Sequence, residues 1–431
     1  MTQKTDTTHP LLSLISDRER MESLASEFGT PLYLYDGDRL QQNVRRLDGA
    51  IAEHLADHLI CYALKANSNP HLISLMKSAV PSLGADCSSP GELFIAKKVG
   101  IAPKRCIYTG NYESVDELKN ALHYGAHLNL DDLTSYDRLK RIGLPHEISF
   151  RLNPGFGMGT FPAIVTGGKE AKFGIPKENI IDAYRKAQRD GITRFGLQCM
   201  PGSGNLEIAY FVEVMTTILE TAKTIEDSLS LRFDYVSLGG GLGIPYGEDE
   251  APVDIEEMFR RLALVFAQFY GSGGGAPRLL MEPGKYIVGD SGLLLSRVTG
   301  KKKGYKDFVG LDAGMNTFIR PALYQAYHKI YKVGEPHAPL VATVDFTGGI
   351  CENTDRLATD RPFPQTEEGD LMAIMDTGAY GFVMASQYNT RGRPAEVLLL
   401  DEKARLIRQR ETIEDIFHLC NWKYVESNNG H

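Results

Sequence analysis

Apolar and polar positions follow two different periods along this chain. Short apolar runs ending in small or polar residues recur at 59–64, 82–87, 106–108, 127–130, 147–152, 194–199, 234–238 and 278–281. Between most of them apolar residues return at helical spacing, for example over 114–124, 179–190, 207–227 and 255–269. Eight strand-then-helix units in succession predict an α/β fold of parallel strands joined by helical crossovers. The expected closure is a (β/α)8 TIM-type barrel, with an open doubly wound sheet as the competing arrangement. Ahead of it, residues 1–19 are polar and carry no periodic signal, while 19–28 reads as a helix closed by Gly29 and 31–35 as a strand. Beyond about residue 290 the pattern changes. Runs at 294–299, 308–311, 340–346, 371–376 and 397–401 are β-rich and have no long helices between them, which predicts a second, mostly antiparallel β domain. The domains expected are a barrel over 38–290 and a β domain from 291–431, with the N-terminal segment 1–37 packing against the latter.

Composition narrows the class. Of 431 residues, 42% are hydrophobic and 24% charged, the balance of an ordered globular chain. No apolar run approaches the ~18–20 residues that span a bilayer, so no membrane association is expected. A formal charge of −8 argues against nucleic acid as a partner. The first residues lack the charged-then-apolar pattern of a signal peptide, and six scattered cysteines show no CxxC or metal-finger spacing. The expectation is reduced thiols, a cytoplasmic setting and no bound metal. The stretch GSGGGAP at 271–277 reads as a surface loop. With no Lys-Ser or Lys-Thr after it, it is not a phosphate loop.

In a parallel barrel, ligands bind where the strands end. Lys65 ends the run LICYAL. It reads either as a solvated cap or as an amine inside the barrel mouth, where desolvation and neighbouring cations would lower its pKa and free it to form a Schiff base. LGGGLGIPYG, 238–247, follows a strand with successive glycines whose N–H groups can wrap a phosphate; a packing turn is the alternative. MEPGKY, 281–286, ends the next strand with a carboxylate, Glu282, which reads as a loop partner or as the acid that keeps a pyridinium nitrogen protonated. Lysine, glycines and acid together are the set that pyridoxal phosphate requires.

The ordered motifs YALKAN (62–67), GADCSSPGEL (84–93), RLNPG (151–155), KFGI (172–175), LGGGLG (238–243) and EPGKYIV (282–288) make the reading specific. DAGMNTFIRPALYQAYH (312–328), GGICENTD (348–355), GDLMAIMDTGAYG (369–381) and SQYNTRGRPAEVL (386–398) continue it. Over residues from about 30 to about 415 the chain resembles the group IV pyridoxal-phosphate decarboxylases of the alanine-racemase-type barrel, and among them the diaminopimelate decarboxylase family. The resemblance implies decarboxylation of meso-2,6-diaminopimelate to L-lysine and carbon dioxide. It makes Lys65 the Schiff-base lysine and puts Gly240, Gly241, Gly284 and Lys285 on the cofactor, with Glu282 on the pyridine nitrogen. Ser203 and Tyr380 would hold the phosphate, while Asp86 and Arg151 would support lysine and ring. Cys351 would be the acid that reprotonates the product carbon, reaching the site from a partner subunit, which implies a homodimer. Arg320 and Tyr324 would grip the distal carboxylate of the substrate and Glu352 its distal ammonium, with Lys285 and Tyr380 also facing substrate.

Three positions depart from the family pattern. Met200, in GLQCMPGSG (196–204), stands where relatives place a ring-facing histidine; it can pack on the ring through sulfur but carries no proton. Lys285 stands for an arginine, keeping charge and losing the bidentate fork. ENTD at 352–355 replaces a Ser-Gly pair. The first two motivate an alternative, a sister decarboxylase acting on ornithine, lysine, arginine or a specialised substrate. An amino-acid racemase and a non-catalytic cofactor-binding homologue are the further alternatives; the cysteine of CEN and the retained Lys65 and Tyr380 speak against them. Residues 155–168, rich in glycine, are expected to form a mobile or substrate-covering loop.

Overall fold

A computed structural model describes residues 9–271 and 275–422; residues 272–274 of the glycine-rich stretch lie outside the described residues. The chain divides into two compact units, Gly37–Asp290, and Met1–Asp36 with Ser291–His431. Strand β1 (Leu32–Asp36) belongs to the second. The first carries β2 (His58–Ala63), β3 (Gly84–Cys87), β4 (Cys106–Tyr108), β5 (His127–Leu130), β6 (Glu147–Asn153), β7 (Ile175–Pro176), β8 (Arg194–Cys199), β9 (Phe233–Ser237) and β10 (Arg278–Met281). Every pairing among them is parallel. The ring runs β2-β3-β4-β5-β6-β8-β9-β10 and closes where Leu280 of β10 lies beside Leu59 of β2; the two-residue β7 hangs on β6. The closed barrel, and not the open sheet, is therefore the fold. The strand expected from residue 82 begins at Gly84 because the Leu83 N–H closes a turn onto the Val80 carbonyl at 3.0 Å.

Local chemistry sets the crossovers. Ser114 and Glu117 form a reciprocal capping box at the helix Val115–Tyr124, and Gly125 ends it in the left-handed region at φ 80°. Ser89, Asp132 and Asp254 each accept a backbone N–H at the start of their helices. Inside the barrel, Leu59, Cys61, Ile107, Tyr235 and Leu280 form an apolar layer. Such side chains contribute ~1.5–3 kcal/mol each on burial. Below them, ion pairs floor the barrel, Arg278 to Asp57 at 2.6 Å and Arg194 to Glu147 at 3.1 Å and Asp234 at 3.2 Å. Above them, toward the strand C-termini, the interior turns polar, and there the candidate site sits.

The second unit adds β11 (Gly292–Lys303), β12 (Asp307–Leu311), β13 (Ile330–Lys332), β14 (Ala342–Thr347), β15 (Arg356–Phe363), β16 (Leu371–Ile374), β17 (Ala395–Leu400) and β18 (Lys403–Arg408). Its sheet runs β15-β14-β12-β11-β1-β17-β18, with β16 also on β11 and β13 on β16. Only β1 with β17 and β12 with β14 pair in parallel; the other six pairings are antiparallel. Within the N-terminal stretch the expectation of no element is corrected. Leu12–Ser16 is a helix, and Leu11, Leu12 and Ile15 are buried in the core of this unit with Leu32, Leu293 and Val397.

Candidate active site

Four adjacent strand ends build one wall of the barrel mouth. Arg151 of β6 lies beside Gln198 of β8, which lies beside Ser237 of β9, and the chain after β10 brings in Glu282. Glu282 is buried and held from two sides. The Ser237 hydroxyl donates to its Oε1 at 2.6 Å and the Gln198 amide to its Oε2 at 2.9 Å. Burial first, and then repulsion from Asp86, push its carboxyl up to about 7, against the pull of the two hydrogen bonds and of Lys65. Neither Gln198 nor Ser237 was singled out in the sequence.

Lys65 sits in a single 3₁₀ turn, Leu64–Ala66, just past β2. Its Nζ donates to Asp86 Oδ2 at 3.1 Å, and its side chain is 44% exposed. The lysine thus lies in the mouth, but its surroundings differ from the expected cationic ones: Asp86, Glu92 and Glu282 all act on or feel its charge. Asp86 is buried at the end of β3, and its Oδ1 makes no hydrogen bond. The Ala63 N–H donates to the Pro283 carbonyl at 3.0 Å, so the lysine's strand and the Glu282 turn are joined by backbone.

A glycine cradle follows. Gly239 and Gly241 adopt φ 64° and 95°, and a Cβ on Gly240 would stand 2.5 Å from the Glu282 carbonyl oxygen, inside contact distance. A Cβ on Gly204 would meet Thr160 Oγ1 at 2.2 Å and Lys285 Nζ at 3.0 Å, so Thr160, Gly204 and the buried Lys285 converge. Lys285 Nζ also lies 5.7 Å from the Tyr246 ring centre, and Gly284 packs on Ala66 so closely that a Cβ would stand 2.8 Å away. The Gly240 N–H donates to Met200 Sδ at 3.1 Å. Ser203 is half-buried next to Gly204.

Arg151 is buried, and burial holds its guanidinium below the ordinary arginine range despite the nearby Asp131 carboxylate at 3.4 Å. It donates to the Met200 carbonyl at 3.0 Å and stacks on Phe173, 4.5 Å from the ring centre. It therefore positions the segment that carries Met200 and Ser203. The loop at 155–168 is seamed to that same segment. The Thr160 N–H donates to the Ser203 carbonyl, the Thr166 N–H to Pro201 and the Thr166 hydroxyl to Met200, at 3.1, 3.2 and 2.6 Å.

The second unit carries its own two groups. Arg320 opens the five-residue helix Arg320–Tyr324, is buried, and lies 6.0 Å from the Tyr380 ring centre; Tyr324, half-buried, ends that helix. Tyr380 takes φ 56° ahead of Gly381, where a Cβ would stand 2.3 Å from the Thr377 carbonyl oxygen. Cys351 and Glu352 are exposed and lie together. Asn389 donates to Cys351 Sγ at 3.0 Å, and the Tyr388 hydroxyl to Glu352 at 2.6 Å. Hydrogen bonds from Tyr388 and Thr354 hold the Glu352 carboxyl below its ordinary value.

A buried carboxylate held for an acidic partner, an accessible amine beside it, an unbonded Asp86 oxygen and a Cβ-free turn next to a buried ammonium fit a ring-and-phosphate cofactor. Comparison with known proteins agrees. Residues 41–289 match the family described as pyridoxal-dependent decarboxylase, pyridoxal binding domain. A diaminopimelate decarboxylase of Methanothermobacter thermautotrophicus is 40% identical over 407 residues, 94% of each chain. One from Thermoplasma acidophilum is 38% identical over 396 residues, 92% of this chain and 94% of that one. The crystal structure of diaminopimelate decarboxylase from Helicobacter pylori complexed with L-lysine superposes with a TM-score of 0.84 at 33% identity, covering 94% of this chain and 99% of that one.

Proposed function

The chain belongs to the pyridoxal-dependent decarboxylases, in the diaminopimelate decarboxylase family, and from that premise we propose that it converts meso-2,6-diaminopimelate to L-lysine and carbon dioxide. The observation that carries this reading is Glu282, buried at a strand end and fixed by Ser237 and Gln198, beside the Lys65–Asp86 pair. Bound pyridoxal phosphate supplies an electron sink for the bond between Cα and the departing carboxylate. Lys65 is the amine that holds the cofactor, and Asp86 orients its Nζ. A carboxyl pushed up to about 7 by burial is stabilised most by an adjacent positive charge, so Glu282 favours a proton on the pyridine nitrogen. Gly240, Gly241, Gly284, Lys285 and Ser203 line the phosphate end, where Arg151 fixes the Met200 backbone. Met200, whose sulfur takes up the Gly240 N–H, would stand on the ring side of the cofactor and offer it no proton.

As the family resemblance implies, Arg320 and Tyr324 would hold the distal carboxylate, Glu352 the distal ammonium, and Tyr380 the phosphate. Cys351 delivers a proton to the product carbon. Its exposure on the single chain is in keeping with a thiol that serves the site of a second copy, and the reading takes a homodimer as the active form. Carbon dioxide release from meso-diaminopimelate, lysine, ornithine and arginine by the cofactor-loaded protein tests the reading, with Lys65→Ala alongside. Release from diaminopimelate that vanishes in the variant is expected. Preference for any of the other three would overturn it in favour of a sister decarboxylase. Mixing Lys65→Ala chains with Cys351→Ala chains should restore part of the activity if the site is shared; no recovery refutes the sharing.

A further inference from the structure

His328 is fully buried and serves two partners that cannot exchange roles. Its Nδ1 lies 2.9 Å from the Met375 carbonyl oxygen, which only accepts. Its Nε2 lies 3.3 Å from Arg320 Nε, whose N–H only donates. The proton is therefore on Nδ1, the lone pair is on Nε2, and the ring is the neutral tautomer that joins one to the other. Phe318 packs edge-on against the imidazole at 4.6 Å between ring centres. The His328 carbonyl accepts from Arg361 at 3.0 Å, and the Met375 N–H donates to the Lys329 carbonyl at 2.9 Å. The ring is thus fixed along both its backbone and its edge. A guanidinium is planar, so anchoring Nε fixes the plane and the direction in which its Nη edge meets a carboxylate.

We propose that His328 is a positioning residue for substrate selection. Its neutral imidazole sets the Arg320 guanidinium in the orientation that reads the distal carboxylate, and ties it to Met375, just past β16 and five residues ahead of Tyr380. The proposal rests on the reading that Arg320 grips that carboxylate. It predicts a loss confined to ligands that carry the group. L-lysine has the distal carboxylate and 1,5-diaminopentane is the same molecule without it, so their competitive inhibition constants isolate the contact.

The test uses the holoenzyme as wild type, His328→Asn, His328→Gln and Arg320→Ala. An asparagine amide can replace Nδ1–H toward Met375 but does not reach Arg320, whereas glutamine places an acceptor oxygen near the Nε2 position. His328→Asn should raise KM for meso-diaminopimelate and the inhibition constant of L-lysine by about tenfold, with kcat within about twofold and the diaminopentane constant unchanged. His328→Gln should recover most of the loss, and Arg320→Ala should show the same selectivity at larger size. Equal losses for lysine and diaminopentane, or a fall in kcat alone, overturn the proposal. If Arg320→Ala is selective and His328→Asn is not, the imidazole link fails while the Arg320 reading stands. If Arg320→Ala shows no selectivity, that reading falls and the proposal with it. Should the asparagine variant fail to fold, the lysine-to-diaminopentane ratio of the glutamine variant decides: a wild-type ratio is expected, and a collapsed one overturns the link.

Discussion

Replacing Glu282 by glutamine in the cofactor-free protein should remove a specific dependence of stability on pH. Burial and the nearby Asp86 move this carboxyl from an ordinary value of 4.5 to about 7. In the window between those values the folded chain holds a proton that the unfolded chain releases. The contribution is fully present below the ordinary carboxylate range and is lost as pH rises through about 7. At ~1.36 kcal/mol per pH unit the loss amounts to about 3 kcal/mol. Urea unfolding of wild type and Glu282→Gln at pH 5, 6, 7 and 8 reads it directly. The stability difference between the two should move by about 3 kcal/mol toward the variant across that series. Parallel pH curves for both proteins would refute the reasoning, because they would show that the side chain ionises alike in the folded and unfolded chains. Adding pyridoxal phosphate should favour the wild type at pH 8, where its carboxylate can face the ring nitrogen.

Asp131→Asn leaves the buried Arg151 guanidinium without its carboxylate, and thermal unfolding should register ~3–5 kcal/mol of lost stability. Gly240→Ala drives a methyl into the Glu282 carbonyl, so cofactor affinity measured by fluorescence quenching should fall by at least ~10-fold. Gly300→Ala, where nothing lies within 4 Å, should leave it unchanged. Tyr388→Phe removes the strongest hydrogen bond holding the Glu352 carboxyl low. That carboxyl then protonates at higher pH, and the acid limb of kcat/KM for meso-diaminopimelate should move upward in pH.

The barrel was legible because its apolar runs stop at chemistry: Lys65, Arg151 and Glu282 each follow or close a strand. Their orienting partners were not. Gln198 and Ser237 look like ordinary polar interruptions in GLQC and YVSL, and only the β8–β9 register shows them side by side. In the second unit the runs expected at 294–299 and 397–401 fall within or overlap β11 and β17, whereas β15 and β18 escaped notice. RLATDRPF and KARLIR carry the charges and proline that suit sheet edges, and they read as loop for that reason. The helix Leu12–Ser16 spans fewer than two turns, too few for a period to declare itself. His328 drew no separate notice at the end of YQAYH, because a buried histidine gives no pattern until its two partners are known.

Lys65 and Glu282 come from opposite ends of the barrel unit, yet their strands are neighbours, joined where β10 meets β2. Every other barrel pairing except this one links strands close in sequence. The last and most non-local pairing, the one with the greatest loop-closure entropy, is therefore the one that brings amine and acid together. A chain still emerging from the ribosome, or one cut before residue 278, owns the lysine and the glycine turn but no ring-nitrogen partner. Cofactor capture at Glu282 therefore reports that the cylinder has shut, because the ring-nitrogen partner is in place only after this unit has closed.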